Sequence, residues 1–179
     1  LNPTYAEAHC EIGDIFQEQG NLEQAINSNQ MALNCCPALV EGHNNLGRVL
    51  KRKNQLDAAI VEFGKAIEAN PRYVRAYNNL GATLVEKKRL EEATRYFEKA
   101  LSINPNFADA HFNLAIALLL QGKLTAGWEK YEWRWDSIQK SQKRDFKQLL
   151  WDGTSLKGNT ILVHPEQGFG DAIQFIRYV

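Results

Sequence analysis

The sequence predicts an all-α array of about four helix-turn-helix units, followed by a short α/β segment. Three observations carry this. Pro3, Pro37, Pro71 and Pro105 recur at a fixed spacing of 34 residues, which marks one supersecondary unit copied in tandem. Within each interval the apolar residues recur at three- and four-residue steps, the period of amphipathic helices. Near residue 136 the period stops, and a β-branched apolar run follows at Thr160-Ile161-Leu162-Val163-His164, as expected of a buried strand.

Alignment on the prolines gives units 6–39, 40–73, 74–107 and 108–141, the last one degenerate, within an array spanning 1–136. The first helices carry His9, Ile12, Gly13 and Phe16; His43, Leu46, Gly47 and Leu50; Tyr77, Leu80, Gly81 and Leu84; and His111, Leu114, Ala115 and Leu118. Turns centre on Gly20, Asn54, Lys88 and Gly122. The second helices place small and aromatic residues inward: Ala25 and Ala32; Ala59, Phe63 and Ala66; Ala93, Phe97 and Ala100; Gly127 and Tyr131. Glycine inside a helix costs about 1 kcal/mol relative to alanine, so Gly13, Gly47 and Gly81 predict a close helix–helix approach that offsets it. The prolines end the second helices, because proline blocks helix continuation and drives its predecessor to extended geometry.

These residues resemble the tetratricopeptide repeat, whose pattern W-x2-L-G-x2-Y, A-x3-F, Pro also spans 34 residues. Three departures stand out. The first aromatic slot is usually His, Asn29 replaces the aromatic of unit one, and unit four has Gln139 in place of the terminal proline. The resemblance implies a right-handed superhelix with first helices lining a concave groove. The slot before the repeated Leu then reads Glu11, Asn45, Asn79, Asn113. A carboxamide both donates and accepts, so an Asn ladder suits a peptide backbone, as the resemblance to O-linked N-acetylglucosamine transferase superhelices implies. The alternative role for these Asn is packing between repeats. Neighbouring groove positions add Glu7, Asp14 and Glu18; Asn44, Arg48, Lys51 and Arg52; Arg75, Asn78 and Glu86. The basic group suits an acidic segment or a carboxylate, or else forms a solvated helix end. In unit four Phe112, Ile116, Leu119 and Leu120 form an apolar docking face, expected to be covered by the C-terminal segment or another chain. His9, His43 and His111, spaced along the array, are assigned to packing.

Composition bounds the function. The formal net charge is zero, which predicts no long-range attraction to nucleic acid or anionic membrane. Residues 1–39 contain acids and no Lys or Arg, whereas residues 40–107 hold twelve Lys and Arg against eight acids. Cys10, Cys35 and Cys36 are odd in number and lack metal-ligand spacing, so free thiols in a reducing, cytoplasmic setting are expected. No catalytic residue, metal or cofactor is predicted. The opening Leu1-Asn2-Pro3 matches the repeat end Ile103-Asn104-Pro105, which suggests a piece of a longer protein.

Beyond the array, Trp128, Tyr131, Trp133 and Trp135 crowd with Arg134 on what the pattern reads as one helix, a domain-junction core. Residues 137–159 are expected to link to 160–179, a first strand, Gly-bearing loop (Glu166-Gln167-Gly168-Phe169-Gly170-Asp171) and helix of a Rossmann-like domain. With Gly127-Trp128 through Trp135 and Trp151-Asp152-Gly153, this run resembles the junction in bacterial proteins where tetratricopeptide repeats precede a glycosyltransferase-like domain. The residues therefore predict a scaffold that binds protein or peptide segments and is not itself an enzyme. The alternatives are the acceptor-presenting arm of a glycosyltransferase and a self-assembly module.

Overall fold

The computed structural model describes residues 3–137. The helices are α1 (Pro3–Glu18), α2 (Leu22–Cys35), α3 (Val40–Arg52), α4 (Leu56–Ala69), α5 (Val74–Glu86), α6 (Leu90–Ile103), α7 (Ala108–Leu120) and α8 (Leu124–Tyr131), closed by a 3-10 turn at Glu132–Trp135. Among the described residues there is no strand. The strand-loop-helix expected over 160–179 and the linker beyond residue 137 lie outside the described residues. Consecutive helices pair as α1–α2, α3–α4, α5–α6 and α7–α8. The pairs stack through α2–α3, α4–α5 and α6–α7, and more lightly through first helix on first helix. This is the all-α helical-repeat architecture that the period predicts.

The turns inside the pairs share one geometry. Gly20, Asn54, Lys88 and Gly122 all have positive φ, between 59° and 80°. The residue after each donates its N–H back to the carbonyl five positions earlier, as in Gln55 to Leu50 and Arg89 to Leu84, both 2.9 Å. That bond caps a last helical carbonyl and requires a left-handed residue, which glycine and asparagine adopt easily and Lys88 adopts at a cost. The turns between pairs follow from proline. Cys36, Asn70 and Asn104 are extended after α2, α4 and α6, as a residue preceding proline must be. Asn70 and Asn104 also accept from the backbone N–H two residues on, at 2.9 and 3.1 Å.

The proline carbonyl is then captured. His43 Nε2 lies 2.9 Å from the Pro37 carbonyl, Tyr77 Oη donates to Pro71 at 3.2 Å, and His111 Nε2 lies 2.8 Å from Pro105. The repeated first slot of each later unit thus ties its helix to the turn six residues upstream. His43 also meets Glu62 Oε2 through Nδ1 at 2.7 Å.

The core alternates small residues with rings. Phe63 and Phe97 are fully buried, among Ala59, Leu80, Leu84, Ala93, Leu114 and Leu118. A Cβ at Gly47 or Gly81 would fall 2.6 Å from the ring of Phe63 or Phe97. In unit one Asn29 takes the ring's place beneath Gly13. It donates Nδ2 to the Ala25 carbonyl at 2.8 Å, and its buried Oδ1 meets no partner among the described residues.

Unit four corrects one expectation. The aromatic cluster is not on a single helix: α8 ends at Tyr131, and Trp133 and Trp135 belong to the 3-10 turn. That turn folds back onto α7. Trp133 stacks on His111 at 4.1 Å between ring centroids, Tyr131 lies 5.5 Å from Phe112, and the Arg134 guanidinium sits over Tyr131 and Trp135.

Replacing Phe63 with Ala should destabilise the fold by about 3–5 kcal/mol, the range for emptying a buried aromatic site. Val61→Ala, at an exposed position of the same helix, should change stability by less than about 0.5 kcal/mol. Urea denaturation followed by circular dichroism measures both.

Candidate functional site

The first helices and the residues just ahead of them line a groove. A concavity of about 420 Å³ is bounded by Asp14 of α1, by Glu41, Asn44, Asn45 and Arg48 of α3, by Tyr73, Arg75, Asn78 and Asn79 at and in α5, and by Phe107 and Asp109 at α7. A second, smaller hollow of about 190 Å³ is lined by Lys51, Ala82, Val85, Glu86, Phe97, Asn113 and Ile116. The larger concavity is mainly polar, and the smaller hollow mixes apolar Ala82, Val85, Phe97 and Ile116 with Lys51, Glu86 and Asn113.

The Asn residues form a bonded relay through Asn45, Asn44 and Asn79, and a separate pair of Asn113 and Asn78. Asn45 donates Nδ2 to Asp14 Oδ2 at 3.0 Å, and Arg48 Nη1 reaches both Asp14 Oδ1 and Asn45 Oδ1 at 3.3 Å. Asn44 donates Nδ2 to Asn45 Oδ1 at 3.4 Å and accepts from Asn79 Nδ2 at 2.8 Å. Asn113 donates to Asn78 Oδ1 at 2.9 Å. A carboxylate only accepts and a guanidinium only donates, so Asp14 and Arg48 together fix which end of the Asn45 amide points where. That orientation passes to Asn44 and then to Asn79. Asn44, Asn45 and Asn78 are buried, while Asn79 and Asn113 are half-buried. The structure thus brings Asn44, Asn45, Asn78 and Asn79 into one concavity with Arg48, joins Asn113 to it through Asn78, and ties each of Asn45, Asn79 and Asn113 to the preceding repeat.

The basic residues are engaged within the chain. Lys51 Nζ pairs with Glu86 at 3.0 Å, Arg48 with Asp14 at 3.3 Å, and Lys53 with Glu23 at 2.5 Å. Arg52, exposed, reaches back to the Gln17 carbonyl. Two ion pairs, Arg48–Asp14 and Lys53–Glu23, therefore join the acidic first unit to the basic second one.

The four apolar residues of unit four do not form one exposed strip. Phe112 is buried, Ile116 and Leu119 are half-buried, and Leu120 is exposed. The chain itself supplies the cover: Tyr131 lies against Phe112, and Leu119 sits where a Cβ on Gly127 of α8 would be. Only Ile116 of this group lines the groove.

Sequence reasoning did not single out Tyr73, Glu41, Phe107 and Asp109. The signal was present: Tyr73 and Phe107 are one period apart, and so are Glu41, Arg75 and Asp109. Burial, then the nearby Glu41 carboxylate, push the Tyr73 phenol above its ordinary value, which keeps it a neutral hydroxyl at the edge of the concavity. Among the described residues no group of three or more His, Cys, Asp or Glu could hold a metal ion. No described helix is long and apolar enough to cross a membrane.

Two titratable groups yield tests. Burial, reinforced by Asp14, Glu41, Glu7 and Glu11, pushes the Cys10 thiol up to about 11, and the thiolate is the reactive form. At pH 8 an alkylating reagent should modify the half-buried Cys35 and Cys36 at least about tenfold faster than Cys10, with the difference erased in urea; mass spectrometry of labelled peptides reads this. Burial also lowers His111 below its ordinary 6.5, with Lys130 adding to the shift and the Pro105 carbonyl opposing it. A depressed folded-state value means that the unfolded chain binds the proton more readily. The stability gained by keeping His111 neutral is complete above about 6.5 and declines as pH falls below it. The thermal midpoint should therefore drop on acidification through that range, and His111→Phe should flatten the drop.

The fold has clear relatives. The chain matches the family description "Tetratricopeptide repeat" over residues 74–107 and again over 96–129, and "TPR repeat" over 13–54 and 47–87. No curated protein is matched. Among solved structures, Pseudomonas aeruginosa PilF shares 26% identity over 78% of this chain and 64% of its own, with a TM-score of 0.71. The first TPR of Spaghetti (RPAP3), solved bound to the HSP90 peptide SRMEEVD, shares 23% over 68% of this chain and 97% of its own, with a TM-score of 0.65. A mutant O-GlcNAc transferase from Thermobaculum terrenum shares 22% over 64% of this chain but only 22% of its own length, with a TM-score of 0.61. With matched repeats running from residue 13 to residue 129, the chain belongs to the tetratricopeptide repeat family.

Proposed function

We propose that the groove along α1, α3, α5 and α7 holds an extended or short helical segment of another protein, so that the chain serves as a binding scaffold. The observation that carries this reading is the directed amide relay. With Nδ2 of Asn79 and Asn113 given to Asn44 and Asn78, their Oδ1 atoms are left to accept hydrogen bonds, as the N–H groups of a peptide require. Tyr73 and Arg75 border the same concavity and add donors, while Ala82, Val85 and Ile116 offer an apolar rest for one side chain. The Spaghetti repeat solved with a peptide supports the same use of the fold. We assign no catalytic role, metal or cofactor to the described residues, and we place the chain in a reducing, cytoplasmic setting on its three free cysteines.

A second reading rests on residues 127–171. We propose that the array ends near residue 136, that 137–159 connect it onward, and that 160–179 begin a glycosyltransferase-like domain to which the groove presents acceptor protein. The fold-level similarity to the repeat region of an O-GlcNAc transferase accords with it. Sugar-nucleotide binding by the full parent protein would support this reading, and its absence would reject it.

An immobilised library of overlapping peptides would supply a ligand, and fluorescence anisotropy its affinity. Asn79→Ala and Asn113→Ala should each weaken binding about five- to tenfold, the loss of roughly one hydrogen bond, with helicity unchanged by circular dichroism. Equal affinity for wild type and both variants rejects the groove as the binding site.

A further inference from the structure

The charge left over in the groove has a sign. Three carboxylates, Asp14, Glu41 and Asp109, and two guanidiniums, Arg48 and Arg75, line the larger concavity. The cations of unit two are engaged within the chain. Arg48 is bound to Asp14 and Asn45, Lys51 to Glu86, and Arg52 to the Gln17 carbonyl. Of the two guanidiniums in the concavity, Arg75, exposed beside Tyr73, is left to face a ligand. The carboxylates are less engaged. Among the described residues no Lys or Arg comes within ion-pair distance of Glu7, Glu11 or Glu41, and Asp109 accepts from the Ser137 hydroxyl.

These charges follow the period. Glu7, Glu41, Arg75 and Asp109 stand 34 residues apart, so they share one register position, with the signs negative, negative, positive, negative along the array. Cys10, one period before Asn44, senses the same field: burial raises its thiol first, and Asp14, Glu41, Glu7 and Glu11 all add to the rise. Residues 1–39 contain no Lys or Arg to offset these acids. Tyr73 and Phe107 border the concavity as well, and aromatic ring faces attract cations.

We propose that the groove takes a basic segment, whose Lys or Arg side chains lie against Glu41 and Asp109 while its backbone N–H groups meet Oδ1 of Asn79 and Asn113. This rests on the reading of the groove as a peptide site and adds the sign of the partner's charge. The cluster Arg48, Lys51 and Arg52 suggests the opposite sign in sequence, but its charges are already taken up inside the fold. An acidic segment would meet uncompensated carboxylates of its own sign, and like-charge juxtaposition costs affinity. Arginine suits the site better than lysine, because a planar guanidinium can bond a carboxylate through two hydrogen bonds and stack on an aromatic ring.

The test uses three synthetic peptides that share their apolar and glycine residues and carry arginine, glutamine or glutamate at the same remaining positions. Fluorescence anisotropy measures each against the full chain. The arginine peptide should bind at least about tenfold tighter than the glutamate peptide at low salt, and the gap should narrow as salt rises. Glu41→Lys should weaken the arginine peptide about fivefold. Glu68→Lys, the same charge change at an exposed position of α4 outside the groove, should alter it by less than about twofold. Circular dichroism checks that both variants keep their helicity. Tighter binding of the glutamate peptide, lost in Asn79→Ala, overturns the assigned sign and leaves the groove as a peptide site. Equal affinity for the three peptides overturns it too, as do equal effects of Glu41→Lys and Glu68→Lys, since net charge then accounts for the preference. Arginine-peptide binding untouched by both Asn79→Ala and Glu41→Lys, or no binding by any of the three, rejects the groove itself and the proposal with it.

Discussion

The contact on which the array depends is a phenyl ring pressed against bare helix backbone. Phe63 under Gly47 and Phe97 under Gly81 set the separation of each helix pair, since a single added carbon would collide with the ring. Dense packing makes that separation rigid, and rigidity within a pair determines how the next pair can stack. Ile60, beside Phe63, meets Leu80 and Leu84 of the following unit in one continuous core. The groove is a consequence of this: the first helices stand at a fixed distance along one wall because the rings on the other wall hold them there.

Deviations at this contact explain why the end units differ. Unit one keeps the glycine and loses the ring, and Asn29 in its place leaves a buried oxygen without a partner among the described residues, a state costing about 1–3 kcal/mol. Unit four keeps the ring, as Tyr131, but places Ala115 where the glycine stood. Tyr131 accordingly lies beside Phe112, α8 stops there, and the chain turns back to stack Trp133 on His111. The middle units therefore carry the regular geometry, and the polar concavity is built chiefly from them.

Much of this was legible in the sequence because a period of 34 fixes register. Register alone places Gly20, Asn54, Lys88 and Gly122 in equivalent turns and Asn45, Asn79 and Asn113 on one wall. It does not decide which atoms pair. Asn79 and Asn113 reach back 35 residues to Asn44 and Asn78, whereas Asn45 reaches back 31 to Asp14. The difference lies at Cys10, which holds the place of Asn44 and Asn78 in unit one and offers no amide oxygen. The fold-back of the 3-10 turn was equally hidden. Helical spacing continues through Trp135 in the pattern, and only packing against His111 and Phe112 shows that the helix has ended.

Under the proposed function the bonded amides have two roles that constrain each other. Asn45, Asn79 and Asn113 join repeat to repeat with their donors, so their orientation is held by the stack before any ligand arrives. A site whose polar groups are fixed in advance loses little conformational entropy on binding. The Asp14–Arg48 pair matters beyond its own exposed and modest ion-pair energy, because it is the point from which the direction of the Asn45, Asn44 and Asn79 amides is set. Neutralising Asp14 would leave the backbone and the apolar core in place and remove the reason for one amide orientation over the other. The first unit, with its imperfect core, thereby governs the chemistry of a groove whose walls belong mainly to its neighbours.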